Sequence, residues 1–185
     1  MRKIAALLAL LLAALTTTGC SVLERDYPAG DPAKLAQRLR DRAQWAYDGM
    51  ALPPHKAVGP RPVEPQHSCY AGGFTIDETV PDVVTFSLTW TVEGIPDDVA
   101  RATEARLRRE FTSAGWTLTH DGNRRIKDHV EYGFRFEDPS TGDKFDLDWN
   151  NSTTSLFLSG YTPCAQVPQE AADHPSAQTW TPQTA

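Results

Sequence analysis

Three groups of residues in this chain have types and spacings that could do chemistry: three cysteines, five histidines and a short run of carboxylates. Cys20 ends the run Leu15-Thr16-Thr17-Thr18-Gly19-Cys20. Before it lie Arg2 and Lys3, then twelve apolar residues from Ile4 to Leu15. A positive start, a short apolar stretch and a small residue at the end are the parts of an export signal. Twelve residues are too few to cross a bilayer, whose hydrocarbon core of roughly 30 Å needs about 20 helical residues. A cysteine directly after such a signal is a point for cleavage and acylation. The competing reading, a plain secretory signal with Cys20 in a disulfide, would leave one cysteine of the three unpaired.

Cys69 and Cys164 are the remaining thiols. Outside the cytoplasm two such thiols are expected to form one disulfide, closing a loop of roughly 95 residues. The alternative is a pair of free buried thiols. Two lone cysteines supply too few ligands for a zinc site.

Asp146-Leu147-Asp148-Trp149-Asn150 starts like a calcium loop. Asn151 stands where the loop needs glycine, and Phe157 stands where it needs a bidentate glutamate. Alternation instead puts Asp146 and Asp148 on the wet side of a strand. His55, His67, His120, His129 and His174 contain no pair at metal-binding spacing. His120 and His129 flank one expected hairpin, where they would face each other. No nucleophile elbow, phosphate loop or paired Cys/His signature occurs. No catalytic residue, metal or cofactor is therefore assigned, and the chain is read as a non-enzyme.

The elements that must position these residues follow from periodicity and turn chemistry. Asp31-Pro32 opens a helix whose stripe is Leu35, Leu39, Ala43, Ala46, Tyr47 and Met50, stopping near Gly49–Leu52. Five prolines between 53 and 65 make an extended connector. Residues 69–76 suggest a short strand. Val83–Val92 alternates cleanly: Val84, Phe86, Leu88, Trp90 and Val92 on one face, Val83, Thr85, Ser87, Thr89 and Thr91 on the other. Pro96-Asp97-Asp98 starts a second helix, with Ala100, Thr103, Leu107, Phe111 and Ala114 on one side. Gly115 should close it in the left-handed conformation, with Phe111 meeting Trp116 in a Schellman cap.

Four strands then follow as a meander over 116–120, 130–137, 144–150 and 154–161, joined by Asp-Gly-Asn, Asp-Pro-Ser-Thr-Gly and Asn-Asn-Ser turns. The expected fold class is α+β. It is a two-layer sandwich with two helices on one face of a mostly antiparallel sheet of about five strands. The other face is wet, and Thr85, Ser87, Thr89, Thr91, Thr117 and Thr119 are its candidate binding surface. The domain boundaries read as a signal at 1–19, a leader at 20–30, a single domain at 31–164 and a disordered tail at 165–185. Trp180 is the tail's one large aromatic residue.

Charge narrows the partners. Cleavage removes Arg2 and Lys3 from the 18 basic residues, leaving 16 against 24 acidic, a net charge of −8. Such a surface argues against nucleic acid and against electrostatic attachment to anionic lipid.

The run ending at Cys20 resembles the lipobox of bacterial lipoproteins, with Gly19 as its small residue and Thr17 where leucine is usual. The resemblance implies acyl chains on Cys20 that anchor the chain to a membrane. The whole pattern is similar to small actinobacterial lipoproteins with one α+β domain and one cysteine pair. It implies the outer face of the cell membrane and assigns no activity. The function expected is a non-enzymatic accessory module that binds another exported or membrane protein. A small-ligand or lipid carrier is the alternative, with Trp90, Trp116, Phe134, Phe145 and Trp149 lining a cavity. A hydrolase is a more distant one.

Overall fold

Asp31 starts the first helix in the computed structural model, which describes residues 26–70, 78–126, 129–174 and 178–183. The signal, Cys20 and most of the leader lie outside the described residues, as do positions 71–76 of the expected short strand. The Asp31 carboxylate accepts from the N–H groups of Ala33 and Lys34 at 3.0 and 3.3 Å. Helix α1 then runs Pro32–Met50 and buries Leu35, Ala36, Leu39, Ala43, Ala46, Tyr47 and Met50. Its last carbonyls, on Met50 and Ala51, accept from the Arg106 guanidinium. A cation is favourable there because helix C-termini carry unpaired acceptors.

Short strands β1 (Arg61–Pro62) and β2 (Glu64–Gln66) precede the long β3 (Val83–Glu93). Helix α2 (Asp97–Ser113) follows, with Asp97 and Asp98 in its first turn. Gly115 has φ +83°. Trp116 N–H donates to Phe111 O and Gly115 N–H to Thr112 O, both at 3.0 Å, which is the expected Schellman pairing. The Phe111 and Trp116 rings meet at 4.9 Å. A Cβ on Gly115 would touch nothing within 4 Å. Gly115→Ala is therefore expected to cost only the backbone penalty, about 1 kcal/mol, read from a chemical denaturation midpoint.

The meander follows: β4 (Thr117–Ile126), β5 (His129–Glu137), β6 (Lys144–Asn150) and β7 (Ser155–Tyr161). Strand β8 (Ala165–Gln166), helix α3 (Gln169–Asp173) and strand β9 (Thr179–Trp180) end the described chain. Among the described residues the main sheet has seven antiparallel strands, more than the five or so expected. Its order is β2-β3-β7-β6-β5-β4, with β8 also on β3. The extra strands are two or three residues long, too short to show alternation. β3 lies beside β7, so α2 carries the chain across the sheet to its far edge at β4.

One face of the sheet packs against the helices. Phe111 of α2 is its hub, with ring centroids of Trp45, Trp116, Phe136 and Phe145 at 4.8, 4.9, 5.3 and 4.9 Å. Gly160 on β7 lets α1 approach: a Cβ there would sit 2.8 Å from Leu39 Cδ1.

Two arginines one turn apart hold α1 to the β5–β6 turn. Arg38 binds Asp143 and Arg42 binds Asp138, each at 2.7 Å. Both carboxylates are buried. Burial alone would raise the Asp138 carboxyl, but bonds from Ser140 and Thr141 and the nearby Arg42 together hold it below its usual value. A depressed folded value means stability present above the unfolded pKa near 3.8 and lost as pH falls through the folded one. Arg42→Met should cost about 1–3 kcal/mol at pH 7, between exposed and buried pairs. That gap should narrow below about pH 4 as Asp138 protonates, as pH-dependent urea melts would record.

Two expectations fail here. The tail at 165–185 was expected to be disordered, yet β8, α3 and β9 form within it, and Trp180 is 5% exposed. Its ring packs on Trp90 at 4.8 Å and on Tyr47 at 6.0 Å. The segment is poor in apolar residues, but Ala165, Val167 and Ala172 are buried, β8 pairs with β3, and the Trp180 ring fills a pocket built by distant elements. Thr85 and Ser87 were expected on the wet face and are instead buried, 8% exposed each. β2 pairs with them on one side of β3, and β8 pairs with Val83 and Val84 on the other. Thr162 accepts from the Thr85 hydroxyl through its carbonyl and from Phe86 N–H through its own hydroxyl, closing this end of β3.

Candidate binding face

Cross-strand register defines what the sheet presents away from the helices. One row reads Thr89, Ser159, Asp146, Arg135 and His120 across β3, β7, β6, β5 and β4. The next reads Thr91, Phe157, Asp148, Gly133 and Gly122. Thr89 and Ser159 share a hydroxyl hydrogen bond at 3.0 Å. Arg135 forks onto both oxygens of Asp146 at 2.6 Å, a bidentate pair that fixes both side chains. This uses the Asp146 carboxylate in an ion pair. Asp143, in the turn before β6, is buried against Arg38.

Asp148 lies over a glycine floor. A Cβ on Gly133 would stand 2.5 Å from Leu147 O and would collide with the Asp148 carboxylate. Asp148 is exposed as a residue, but desolvation of its carboxyl and the nearby Asp146 push that carboxyl up, partly offset by His120 and Arg135. The His120 ring covers Gly122 in the same way, its Nε2 only 2.9 Å from where a Cβ would be. His120 stands opposite Arg135, while His129 pairs with Ile126 at the other end of the hairpin, so the two histidines do not face each other. Phe157 is 39% exposed, one of three large apolar side chains exposed among the described residues.

Of the six hydroxyl residues expected to form the face, Thr89 and Thr91 hold their places in these rows. Thr85 and Ser87 are buried, as above. Thr117 stands opposite Glu137, at the sheet's outer edge. Thr119 falls out of the ladder: the register shifts between Leu118 and His120, a β-bulge with Thr119 as the extra residue. Its hydroxyl donates to Arg135 O at 3.3 Å. The face has moved toward β5, β6 and β7, bringing in Arg135, Phe157 and Ser159. The alternation of Ser155, Phe157, Ser159 and Tyr161 carried that signal in the sequence.

The Cys69–Cys164 disulfide forms, with Cα atoms 6.0 Å apart. The aromatic residues considered as a cavity lining pack against neighbouring rings: Trp90 lies 5.7 Å from Phe145, and Trp149 stacks on Tyr132 at 4.9 Å. A surface depression of about 620 Å³ opens elsewhere, beside Lys34, Arg38, Asp41 and Gln178. Among the described residues no helix is long and apolar enough to cross a membrane, and no cluster of three metal-ligating side chains occurs.

Among the described residues these features define a disulfide-linked α+β sandwich with one helix-covered and one open sheet face. Comparison with known protein families, curated proteins and solved structures yields no match. The face offers hydroxyls, a fixed ion pair, a carboxylate and one exposed ring.

Proposed function

We propose that this chain is an acyl-anchored extracytoplasmic module of the cell envelope, and that its open sheet face binds another exported or membrane protein without catalysing a reaction. The Cys20 lipobox supports the anchor, and the disulfide fits an oxidising compartment. The observation that carries the reading is the face from Thr89 to His120, which no other described element covers, polar at its rows and with the Phe157 ring exposed among them. Interfaces combine these parts, a packed apolar anchor within hydrogen-bonding groups.

In-cell photocrosslinking of the full-length protein tests it. A crosslinker at Ser159 should trap one discrete exported or membrane protein, while one at Gln37 on α1 should not. Thr89→Lys with Ser159→Lys should weaken capture about tenfold, a loss of roughly 1.4 kcal/mol. Unchanged capture would remove the sheet face from the reading. Thr85 and Ser87 are unsuitable probes, since a buried lysine there would disturb folding.

A further inference from the structure

The segment Gln178–Gln183 is held the way a groove holds a peptide. On one side its backbone pairs with β1, Trp180 opposite Arg61 and Thr179 opposite Pro62. Val63 N–H adds a bond to Gln178 O at 3.2 Å. On the other side Gln44 of α1 grips the Gln183 backbone twice. Its amide nitrogen donates to Gln183 O at 3.1 Å, and its amide oxygen accepts from Gln183 N–H at 3.0 Å. Between these fixings Trp180 enters the pocket against Trp90 and Tyr47. Backbone pairing for affinity and one deep side-chain pocket for specificity is how proteins bind extended peptides by strand addition.

The β1–β9 pair is a sheet of its own, apart from the seven-stranded one. The segment can therefore leave without breaking a ladder of the main sheet. The gripping groups just named come from α1, β1, β3 and the residue after β1.

We propose that this groove is a peptide-binding site for an extended, tryptophan-anchored segment, and that its occupant in trans is residues 178–183 of a second copy of this chain. The second copy carries the same anchor at the same register, so exchange re-forms every contact just described, and reciprocal exchange gives a closed dimer. The chain's own segment competes from an effective concentration in the millimolar range, so exchange emerges at comparable protein concentrations. The groove is separate from the open sheet face and does not depend on it.

A fluorescein-labelled peptide of residues 176–185 tests this on the full chain. Trp180→Ala vacates the pocket, and the milder Trp180→Phe leaves a ring in it and preserves folding if the alanine variant does not. Either variant, shown folded by circular dichroism, should bind the peptide at least tenfold more tightly than the unaltered chain does. Adding Gln44→Ala should weaken that binding about tenfold, and a peptide with alanine in place of Trp180 should not bind. Sedimentation of the unaltered chain from 10 µM to 1 mM should show a growing dimer share that Trp180→Ala reduces. Absence of peptide binding to folded Trp180→Phe protein, binding indifferent to the tryptophan, or a monomer throughout that range would each overturn the proposal.

Discussion

Replacing Cys69 and Cys164 together by serine should lower stability by about 4–5 kcal/mol, the largest effect expected of any paired change in this domain. The bridge spans 95 residues, so the unfolded chain regains a long loop when it is cut. Cys69 is 1% exposed, and its carbonyl accepts from Val80 N–H at 3.0 Å, so the same residue also anchors the approach to β3. Thr162, two residues before Cys164, supplies the bonds to Thr85 and Phe86. Losing the bridge should therefore loosen the buried end of β3 as well as enlarge the unfolded ensemble. Urea denaturation checks this: for a slope of about 2 kcal/mol per molar, the midpoint should fall by roughly 2 M. A loss below 1 kcal/mol would mean that the bridge contributes little beyond the packing around it.

Trp180→Ala is expected to cost about 3–5 kcal/mol, the range for truncating a large buried aromatic side chain. The ring leaves a void between Tyr47 on α1 and Trp90 on β3. Trp180→Phe should cost less, since a smaller ring still fills part of the space. Thermal melts and near-ultraviolet circular dichroism of both variants give the comparison. A change under 1 kcal/mol for the alanine variant would show that the segment contributes little to the fold, as its composition suggested. The same void would also leave the β1–β9 pairing with only two residues on each strand to hold it.

The sequence determined what depends on neighbours a few residues apart. Asp31 and Pro32 predict the start of α1, and its stripe predicts the face that it buries. Gly115 with Phe111 and Trp116 predicts the cap of α2 down to its hydrogen bonds, because such a motif is made wholly within six residues. β5, β6 and β7 are legible because each alternates for seven residues or more, whereas β4 is not: Asp121-Gly122-Asn123 reads as a turn after a five-residue strand at 116–120, yet these residues pair with β5 and the strand runs on to Ile126. The disulfide is legible as well, since counting leaves Cys69 and Cys164 to each other once Cys20 is assigned to the signal.

Tertiary structure alone decided the placement of β3 beside β7 instead of β4, because pairing between strands about 70 residues apart leaves no local trace. It decided the binding face too. Periodicity gives two sides of a strand but not which neighbours cover them, so Thr85 and Ser87 look as wet as Thr89 and Thr91. One extra residue at Thr119 shifts the ladder, and alternation within a single strand does not reveal a bulge. Tail composition is poor in apolar residues, and composition reads an average. Trp180 orders its segment through a single pocket whose walls, Tyr47 and Trp90, lie more than 85 residues away in sequence. Local spacing sets the elements, whereas burial belongs to contacts between elements far apart in the chain.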